Sequence, residues 1–323
     1  MNHYCTYFDH RYAEQGLAML ASLASFEKKA VVWVLALTEE CEAILKKISP
    51  PLARVVSLRE LLAQQPALRE VRPKRGPVEF YFTASSVFVR ACLEKVPARQ
   101  VLTKLDADLY FYESPALLHR LGRNHSIIIT PHRFAAPLQD RVRFGKFNVG
   151  WVSLRNDRIG RKCAQDWEKQ CLEWCHDLPE PQRYADQKYL DAWPKKYPKV
   201  KVLGHPGANL ANWNVGEAGL SWDGRRVLVQ GQPLVFYHFS GLRRLTERIF
   251  DPQWSHTALR PCAVLVNKVF RPYLSALQKA KSQMGAPATA TGSLRYGENT
   301  KGKPPLGFWK QLRRILRGDY LRI

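Results

Sequence analysis

Two aspartates follow a strand-like run in the middle of the chain and could bind a metal ion. Residues 100–105 include Val101, Leu102 and Leu105 in a strand-like run, and Asp106 and Asp108 follow it. In an extended chain, residues two apart project to the same face, and the small Ala107 leaves room between the carboxylates for a ligand. Carboxylate oxygens are the ligands that Mg²⁺ and Mn²⁺ prefer. The pair therefore predicts a metal site that bridges to the phosphates of a nucleotide, unless it lies on a solvated turn without a ligand.

The segments that must position this pair alternate between strand-like and helix-like patterns. Ser57 and Glu60 have the spacing of a capping box, so a helix is predicted to begin there. Strands separated by helices indicate βαβ units and a mostly parallel sheet, in which ligands lie at the carboxyl ends of the strands. The predicted strands are residues 3–8, 31–37, 55–56, 100–105 and 126–130, and the predicted helices are 13–25, 38–48, 57–62 and 80–93.

Five segments, taken together and in order, resemble the motifs of glycosyltransferase family eight, whose members have the GT-A fold and use nucleotide-sugar donors. The resemblance covers about residues 3–245. It implies a single α/β domain of the Rossmann-like GT-A type, with a mixed, mostly parallel central sheet and a C-terminal helical extension. The segments are CTYFDHRY at 5–12, KLDADL at 104–109, FNVGW with RN at 147–156, DQKYL at 186–190 and FYHFSGLRR at 236–244.

The chain departs from the family pattern at several motif positions, which suggests a divergent branch. Arg11 stands where the family usually has Asn, and Val149 stands where it has Ser. Arg244 replaces a Lys, which keeps the charge and allows bidentate phosphate binding, and Leu245 replaces a Pro. The HPGANL segment at 205–210 is similar to one in largely uncharacterised bacterial nucleotide-diphospho-sugar transferases.

The resemblance implies roles for individual residues. Asp106, Asp108 and His238 would bind Mn²⁺ or Mg²⁺, Asp186 would contact sugar hydroxyls, and Gln187 would lie near the anomeric carbon. From residue type alone, His238 could equally be a packed core residue, and Asp186 could be a helix N-cap. The residues implied to contact the nucleotide-sugar donor, for which a UDP-sugar is the first choice, are Thr6, Asp9, Tyr12, Arg90, Asp106, Ala107, Asp108, Asn148, Gly150, His238, Gly241 and Arg244.

The implied reaction moves a sugar to a glycan or a lipid-linked acceptor, with retention of configuration at the anomeric carbon. Because the sequence shows no convincing carboxylate nucleophile, we expect front-face substitution assisted by the leaving phosphate. Trp213 could stack on an acceptor sugar or pack in the core.

The chain carries 50 Lys and Arg against 28 Asp and Glu, a net charge of +22 over 323 residues, which predicts an anionic partner. A nucleic-acid-binding protein is one alternative. We nevertheless expect no nucleic-acid partner, because the basic residues of the body are scattered and no known recognition motif is present. A nucleotidyltransferase or phosphohydrolase with the same metal site is a second alternative. The sequence has no Gly-rich phosphate loop, which counts against P-loop chemistry.

The last 73 residues hold 13 basic and 3 acidic residues, so the charge is concentrated at this end. Four apolar residues at helical spacing, among basic ones, predict a short amphipathic helix that lies on an anionic membrane surface; docking on the body or on a partner is the alternative. These residues are Phe308, Leu312, Ile315 and Leu316. The predicted divisions are a catalytic domain at 1–250, a helical extension at 251–282, a flexible linker at 283–306 and the basic amphipathic helix at 307–323.

Cysteine usage and the apolar runs bear on the compartment. The seven cysteines are an odd number without a CxxC pair, which favours a reducing cytosol. Neither a signal-peptide pattern nor an apolar run of about 20 residues is present in the sequence. We expect a cytoplasmic protein with a peripheral attachment to the inner face of the cytoplasmic membrane. Cys171 and Cys175 are expected to be core residues rather than metal ligands.

Overall fold

The computed structural model describes residues 1–254, 257, 260–285 and 320–322. Its central feature is a seven-stranded sheet with the order β3-β2-β1-β4-β7-β6-β8, accompanied by three small sheets. The strands are β1 His3–Phe8, β2 Val31–Ala36, β3 Ala53–Ser57, β4 Val101–Leu105, β5 Leu109–Phe111, β6 Ile127–Pro131, β7 Phe147–Arg155, β8 Val200–Val202, β9 Leu210–Ala211, β10 Leu220–Trp222, β11 Val227–Val229, β12 Gln232–Pro233, β13 Phe236–His238, β14 Arg243–Arg244, β15 Ile249–Asp251 and β16 Leu321–Arg322.

The central sheet is mostly parallel, with one strand reversed. Strands β1, β2, β3 and β4 are parallel to one another, and β7 pairs antiparallel with both β4 and β6. The parallel pairing of β6 with β8 then closes the far edge. The predicted α/β class with a mixed, mostly parallel sheet is therefore confirmed. The reversed strand β7 carries one of the motif segments, but its strand character was not predicted from the sequence.

The helices pack on both faces of this sheet. Alternate residues of β2 belong to two different hydrophobic clusters, with Trp33 and Leu35 on one face and Val32 and Val34 on the other. A sheet covered on both faces needs apolar residues at every position of its inner strands, which explains the continuous apolar run of β2. The α-helices of the described residues are α1 Ala13–Phe26, α2 Glu39–Ile48, α3 Leu58–Gln64, α4 Pro66–Val71, α5 Pro77–Lys95, α6 Ala116–Leu121, α7 Arg158–Glu173, α8 Trp193–Lys196 and α9 Arg271–Met284.

The predicted elements around the acid pair are confirmed, with boundaries that differ by a few residues. The capping box at the start of α3 is present: Glu60 N donates to Ser57 Oγ at 3.2 Å, and Ser57 N donates to Glu60 Oε2 at 2.7 Å. Cys171 and Cys175 are both fully buried in the cluster beneath α5 and α7, as expected of core thiols.

The helical segment after residue 260 changes its geometry at Pro272. A proline removes one helical N–H donor, and the π-helical stretch at Leu265–Phe270 lies directly before α9, whose second residue is Pro272. Tyr273, Leu274 and Leu277 are then buried in a third hydrophobic cluster.

The C-terminal residues that the structure describes return to the body. Leu321 and Arg322 form β16, which pairs antiparallel with Phe250 and Ile249 of β15. The predicted linker at 283–306 and the predicted amphipathic helix at 307–323 lie outside the described residues, apart from residues 283–285 and 320–322. In the part of the chain that is described, no helix is both long enough and apolar enough to cross a membrane.

Candidate active site

A cavity of about 560 Å³ opens at the carboxyl ends of β1 and β4. Asp106 and Asp108 line it, together with His238, Asp186 and Gln187 from later parts of the chain. The carboxyl edge of a mostly parallel sheet is where such folds bind ligands, as the sequence analysis anticipated. The wall is also rich in aromatic side chains, which include Tyr7, Tyr12, Tyr81, Phe134, Phe144, Tyr184 and Trp213.

Asp106, Asp108 and His238 form a compact cluster that could hold a metal ion. Their ligand atoms all lie within 4.8 Å of one another. His238 Nε2 lies 3.0 Å from Asp108 Oδ1 and 3.7 Å from Asp106 Oδ2. The antiparallel pairing of β5 with β13 produces this arrangement, because it sets His238 opposite Leu109, the residue after Asp108. Strand pairing thus joins residues that are 130 positions apart in the sequence.

The charges in the cluster are mutually stabilising. Burial alone would lower the pKa of His238, but the carboxylates of Asp108 and Asp106 outweigh it and raise the pKa above its usual value. Burial alone would raise the pKa of Asp106, but Lys104 and His238 hold it below its usual range. A metal ion competes with the imidazole proton for the same position. Two carboxylates and one imidazole fit Mn²⁺ or Mg²⁺, with further oxygen ligands from a substrate.

Lys104 is a site residue that the sequence analysis did not identify. Its side chain is 1% exposed, its Nζ contacts Asp106 Oδ1, and it donates to the Val149 carbonyl at 2.9 Å. The ammonium also lies 5.4 Å from the centre of the Tyr7 ring. A lysine inside the apolar strand 101–105 was the available signal, because a buried charge requires a nearby opposite charge.

Asp186 is a buried carboxylate on the cavity wall. It is 1% exposed, and its Oδ2 has no hydrogen-bond partner among the described residues. Burial raises the pKa of Asp186, Lys104 opposes this, and the charge of Asp106 raises the pKa further. The net result is a pKa raised from 3.8 to about 6. Trp167 Nε1 fixes the backbone by donating to the Asp186 carbonyl at 2.8 Å, and Ala185 adopts a left-handed φ of +46°. The N-cap alternative is wrong, because Gln187 is the residue that precedes the 3-10 helix at Lys188–Ala192.

Gln187 and Asn148 belong to one hydrogen-bond network. Asn148 Nδ2 donates to Gln187 Oε1 at 3.2 Å and lies 3.1 Å from His132 Nε2. Gln187 Nε2 donates to the Phe144 carbonyl at 3.0 Å, which ties the network to the segment 136–144. Burial, followed by the charge of His238, lowers the pKa of His132 to about 3, so its ring is neutral and can accept at Nε2. Neither His132 nor its role was anticipated from the sequence.

Gly150 lies behind the cluster rather than on the cavity wall. A Cβ atom at this position would lie 2.9 Å from His238 Nδ1 and 2.6 Å from Asn148 Oδ1. The backbone of β7 therefore approaches the imidazole more closely than a side chain permits. Only glycine fits against the Nδ1 and Cε1 edge of the His238 ring, whose Nε2 faces the two carboxylates.

A Gly150→Ala variant is expected to weaken the binding of Mn²⁺ by about 10-fold or more, the size of effect seen when groups behind a metal ligand are disturbed. The measurement is the Kd for Mn²⁺ from a calorimetric titration. Gly204→Ala is the matched control, because a Cβ there meets no heavy atom of the described residues within 4 Å. Equal Kd values for Mn²⁺ in the two variants would contradict this role of Gly150.

Several residues predicted to contact the donor are engaged elsewhere. Asp9 is fully buried, caps the turn at His10–Tyr12, and pairs with Arg11 at 2.6 Å. Arg90 binds Glu94 at 2.5 Å, contacts Glu168, and donates to Gln65 Oε1 at 2.8 Å, all within the helical layer. Thr6 is buried in β1, and Arg244 pairs with Glu14. The predicted residues that do line the cavity are Tyr12, Asp106, Ala107, Asp108, Asn148, Asp186, Gln187, His238 and Gly241.

An aromatic wall extends from the metal cluster along one side of the cavity. The Trp213 ring lies 5.2 Å from His238 and 5.3 Å from His132, and the His132 ring stacks on Phe134 at 4.5 Å. Trp213 is 9% exposed and contributes to the cavity lining, so it is largely packed, and its stacking on an acceptor sugar stays a prediction.

The HPGANL segment supports this wall from behind. Arg133, with a left-handed φ of +54°, donates to the carbonyls of His205 at 3.1 Å and Pro206 at 3.2 Å, and also contacts the Ala208 carbonyl. Asn209 Nδ2 donates to the Pro131 carbonyl at 3.2 Å. The segment thus has a structural function that its composition did not indicate.

No family model matches the chain. Two proteins of Bacillus subtilis (strain 168) are similar in sequence. The uncharacterized protein YfnF is 29% identical over 248 residues, which cover 74% of this chain and 81% of YfnF. The uncharacterized protein YfnD is 25% identical over 280 residues, which cover 86% of this chain and 89% of YfnD.

Among solved structures, the chain is similar to galactosyltransferase LgtC in complex with donor and acceptor sugar analogs. That comparison has a TM-score of 0.47 and 15% identity, and it covers 75% of this chain and 87% of the LgtC chain. The apo form of mouse xyloside xylosyltransferase 1 gives a TM-score of 0.45 with 14% identity, covering 74% of this chain and 97% of that chain.

Proposed function

We propose that this chain is a metal-dependent glycosyltransferase with the GT-A fold, which transfers a sugar from a nucleotide-diphosphate donor. The observation that carries the proposal is the position of Asp186. A buried carboxylate with an unpartnered oxygen lies on the same cavity wall as the cluster Asp106, Asp108 and His238. The carboxylate can accept hydrogen bonds from sugar hydroxyls, and the cluster can hold a metal ion that binds a diphosphate. Together these two features suit a nucleotide-sugar. The motif resemblance, which covers most of the body, supports the same proposal.

The residues of the site would divide the donor between them. Asp106, Asp108 and His238 would hold Mn²⁺ or Mg²⁺, which supplies positive charge to the diphosphate of the donor. Asp186 would accept hydrogen bonds from sugar hydroxyls, and Gln187, held by Asn148, would face the anomeric carbon. Tyr12 would contribute to the binding of the nucleobase. UDP is our first choice for the nucleotide.

The proposed reaction exchanges one bond at the anomeric carbon for another. The bond between that carbon and a diphosphate oxygen breaks, and the electron pair leaves with the diphosphate. The acceptor hydroxyl oxygen forms the new bond, and its proton passes to the leaving diphosphate. We propose that attack occurs on the same face as departure, which retains the configuration. A product anomer opposite to that of the donor, determined by ¹H NMR, would overturn this stereochemistry.

A glycan or a lipid-linked glycan is the proposed acceptor. The wall formed by His132, Phe134 and Trp213 offers flat apolar faces next to the metal cluster. The apolar C–H faces of sugar rings can pack on aromatic side chains, and the hydroxyls at their edges can form hydrogen bonds with nearby amides. An aromatic wall with amides beside it therefore suits a sugar.

One experiment separates this function from its alternatives. Purified protein is incubated with a panel of UDP- and GDP-sugars, with and without Mn²⁺, in H₂¹⁸O, and the products are analysed by mass spectrometry. Glycosyl cleavage gives a nucleoside diphosphate and a free sugar that carries ¹⁸O. A phosphohydrolase or nucleotidyltransferase would instead cleave a P–O bond, which in water places the label in a phosphate. Salt-sensitive DNA binding without any nucleotide-sugar binding would overturn the proposal.

An anionic membrane surface remains our proposed partner for residues 307–323. Reversing four charges in the full-length chain, at Lys310, Arg313, Arg314 and Arg317, is expected to reduce pelleting with vesicles of phosphatidylserine by about 10-fold or more, since each basic residue near such a surface contributes about 1 kcal/mol. Substitution is preferable to truncation because β16 completes a sheet with β15. Equal pelleting of the two proteins would reject the membrane as partner.

A further inference from the structure

The side chain of Tyr273 is fully buried, and its hydroxyl has no hydrogen-bond partner among the described residues. Tyr273 lies on α9, in the helical extension that the sequence predicts after the catalytic domain. A buried hydroxyl without a partner is unfavourable, so its presence in a folded protein indicates a partner that this state of the molecule does not supply. The surroundings of the ring point to the metal cluster.

The Tyr273 ring packs against residues that adjoin the metal cluster. It stacks on Phe239, the residue after His238, with 3.8 Å between the ring centres and 17° between the ring planes. It meets Tyr110, two residues after Asp108, edge-on at 5.4 Å. Phe239 N also donates to the Asp108 carbonyl at 2.9 Å, which joins the two segments that carry the cluster. Packing therefore fixes the orientation of Tyr273 relative to the cluster.

Tyr273 and Asp108 share a narrow cleft. Gln15 also lines this cleft, and Asp108 lines the main cavity as well. The cleft has no room for a water molecule, so the partner of the hydroxyl must be a protein atom. Asp108 contacts His238 through Oδ1, which leaves Oδ2 for a second donor. Burial, followed by the charge of Asp108, raises the pKa of Tyr273 well above its usual value, so the phenol stays protonated and can donate.

We infer that the Tyr273 hydroxyl donates a hydrogen bond to the Asp108 carboxylate in the metal-bound protein and so orients this ligand. This inference rests on the proposed function, specifically on its metal site. The hydroxyl is without a partner while Asp108 pairs with His238, and metal binding ends that pairing. Tyr273 is a positioning residue, since it acts through Asp108. Ligating carboxylates are themselves hydrogen-bonded, and the loss of such a partner weakens metal affinity by about 10- to 100-fold.

The test compares Tyr273→Phe with Tyr112→Phe, which removes the same group beside the same hydrophobic cluster. The Tyr112 hydroxyl donates to the Val269 carbonyl at 2.6 Å, so its acceptor is a backbone atom rather than a residue of the metal cluster. The Kd for Mn²⁺ is measured by calorimetry on the full-length chain, and thermal melts are recorded in EDTA. We expect Tyr273→Phe to raise the Kd by about 10-fold and Tyr112→Phe to leave it within about 2-fold of wild type.

The melting temperatures in EDTA should change in the opposite order. Tyr273→Phe should melt at or above the temperature of wild type, because it removes a buried hydroxyl that has no partner in the metal-free protein. Tyr112→Phe should melt at a lower temperature, because it loses a buried hydrogen bond. A loss of Mn²⁺ affinity without a loss of stability distinguishes a positioning role from a purely structural one.

The outcomes separate the inference from the function on which it rests. If wild type and Tyr273→Phe bind Mn²⁺ equally well, the inference is wrong and the proposed metal site stands. The partner of the hydroxyl would then be Gln15 Oε1, which is also unpartnered in the cleft. A Tyr273→Phe variant that melts as low in EDTA as Tyr112→Phe would also reject the inference, because the hydroxyl would already be paired without metal. If wild type binds neither Mn²⁺ nor Mg²⁺, the proposed metal-dependent function and the inference both fail.

Discussion

An Asp108→Asn variant is expected to fold normally and to lose metal-dependent cleavage of a nucleotide-sugar donor by about 1,000-fold. A metal ion contributes several kcal/mol of charge stabilisation in the transition state, and about 4 kcal/mol corresponds to about three powers of ten in rate. Asp108 contacts His238 at 3.0 Å and supplies one of the three ligand positions in the cluster. Initial rates over a range of Mn²⁺ concentrations, together with a thermal melt in EDTA, measure both effects.

The matching change at Asp106 should behave differently, because Asp106 has a second partner. Lys104 is buried and contacts Asp106, so an Asp106→Asn variant leaves a buried ammonium without its counter-ion. Breaking a buried pair from one side costs about 3–5 kcal/mol. We therefore expect Asp106→Asn to lose both activity and thermal stability.

Asp223→Asn is the control for both aspartate variants. Asp223 accepts from Arg225 N at 2.9 Å and from Arg226 N at 2.8 Å, in a turn away from the cavity, and asparagine can accept in the same way. Full activity of Asp108→Asn at saturating Mn²⁺ would show that Asp108 is not a metal ligand. Equal melting temperatures of the two site variants would instead argue against the pairing of Lys104 with Asp106.

An Asp186→Asn variant is expected to lose about 100-fold in donor cleavage, because hydrogen bonds to a charged group are worth about 1.5–3 kcal/mol. The same variant is expected to become more stable. Stability should rise because the folded protein disfavours the Asp186 carboxylate, whose pKa is raised from 3.8 to about 6. Each tenfold change in proton affinity corresponds to about 1.4 kcal/mol, so the buried carboxylate costs about 3 kcal/mol at neutral pH. Asparagine removes the charge and should recover roughly 1–3 kcal/mol of this.

The pH dependence follows with a definite sign. Between pH 3.8 and about 6, folded Asp186 binds a proton that the unfolded chain has released, so its contribution to stability falls as the pH rises through this window. The stabilisation by Asp186→Asn should be full at pH 7.5 and small at pH 4. Conversely, wild-type activity should fall as the pH drops below about 6, because the ionised carboxylate accepts the sugar hydroxyls. Asp106, whose charge acts on Asp186, pairs with Lys104, and this pairing helps to hold the pKa of the Asp106 carboxyl below its usual value.

Thermal melts of both proteins in EDTA at pH 4 and pH 7.5 check the stability prediction. The activity prediction is checked by the pH profile of donor cleavage, with Asp223→Asn as the reference for a substitution of the same type at an exposed site. A destabilised Asp186→Asn at pH 7.5 would mean that the carboxylate is paired in solution and that its pKa is not raised. Unchanged activity would remove Asp186 from the proposed sugar site.

Local sequence patterns were enough to predict five of the seven strands of the central sheet, all but β7 and β8, and the acid pair of the site. The apolar run of β2, the capping box at Ser57 and the acid pair after β4 are short-range features. Their physical causes, which are side-chain periodicity and hydrogen bonds between residues three apart, act within a few positions of the chain. His238 could be added to the acid pair only through the ordered set of motifs.

The rest of the site depended on which strands pair and in what register. The pairing of β5 with β13 brings His238 to Asp108, and the reversed strand β7 brings Gly150 and the Val149 carbonyl to His238 and Lys104. Motif position alone implied that Arg90 and Arg244 contact the donor. In the fold, both side chains form ion pairs with carboxylates. Charge type is visible in a sequence, but the partner that neutralises a charge is set by contacts over tens or hundreds of residues. For that reason the sequence by itself determined the class of fold and the acid pair, and only the tertiary structure decided which cations face the cavity.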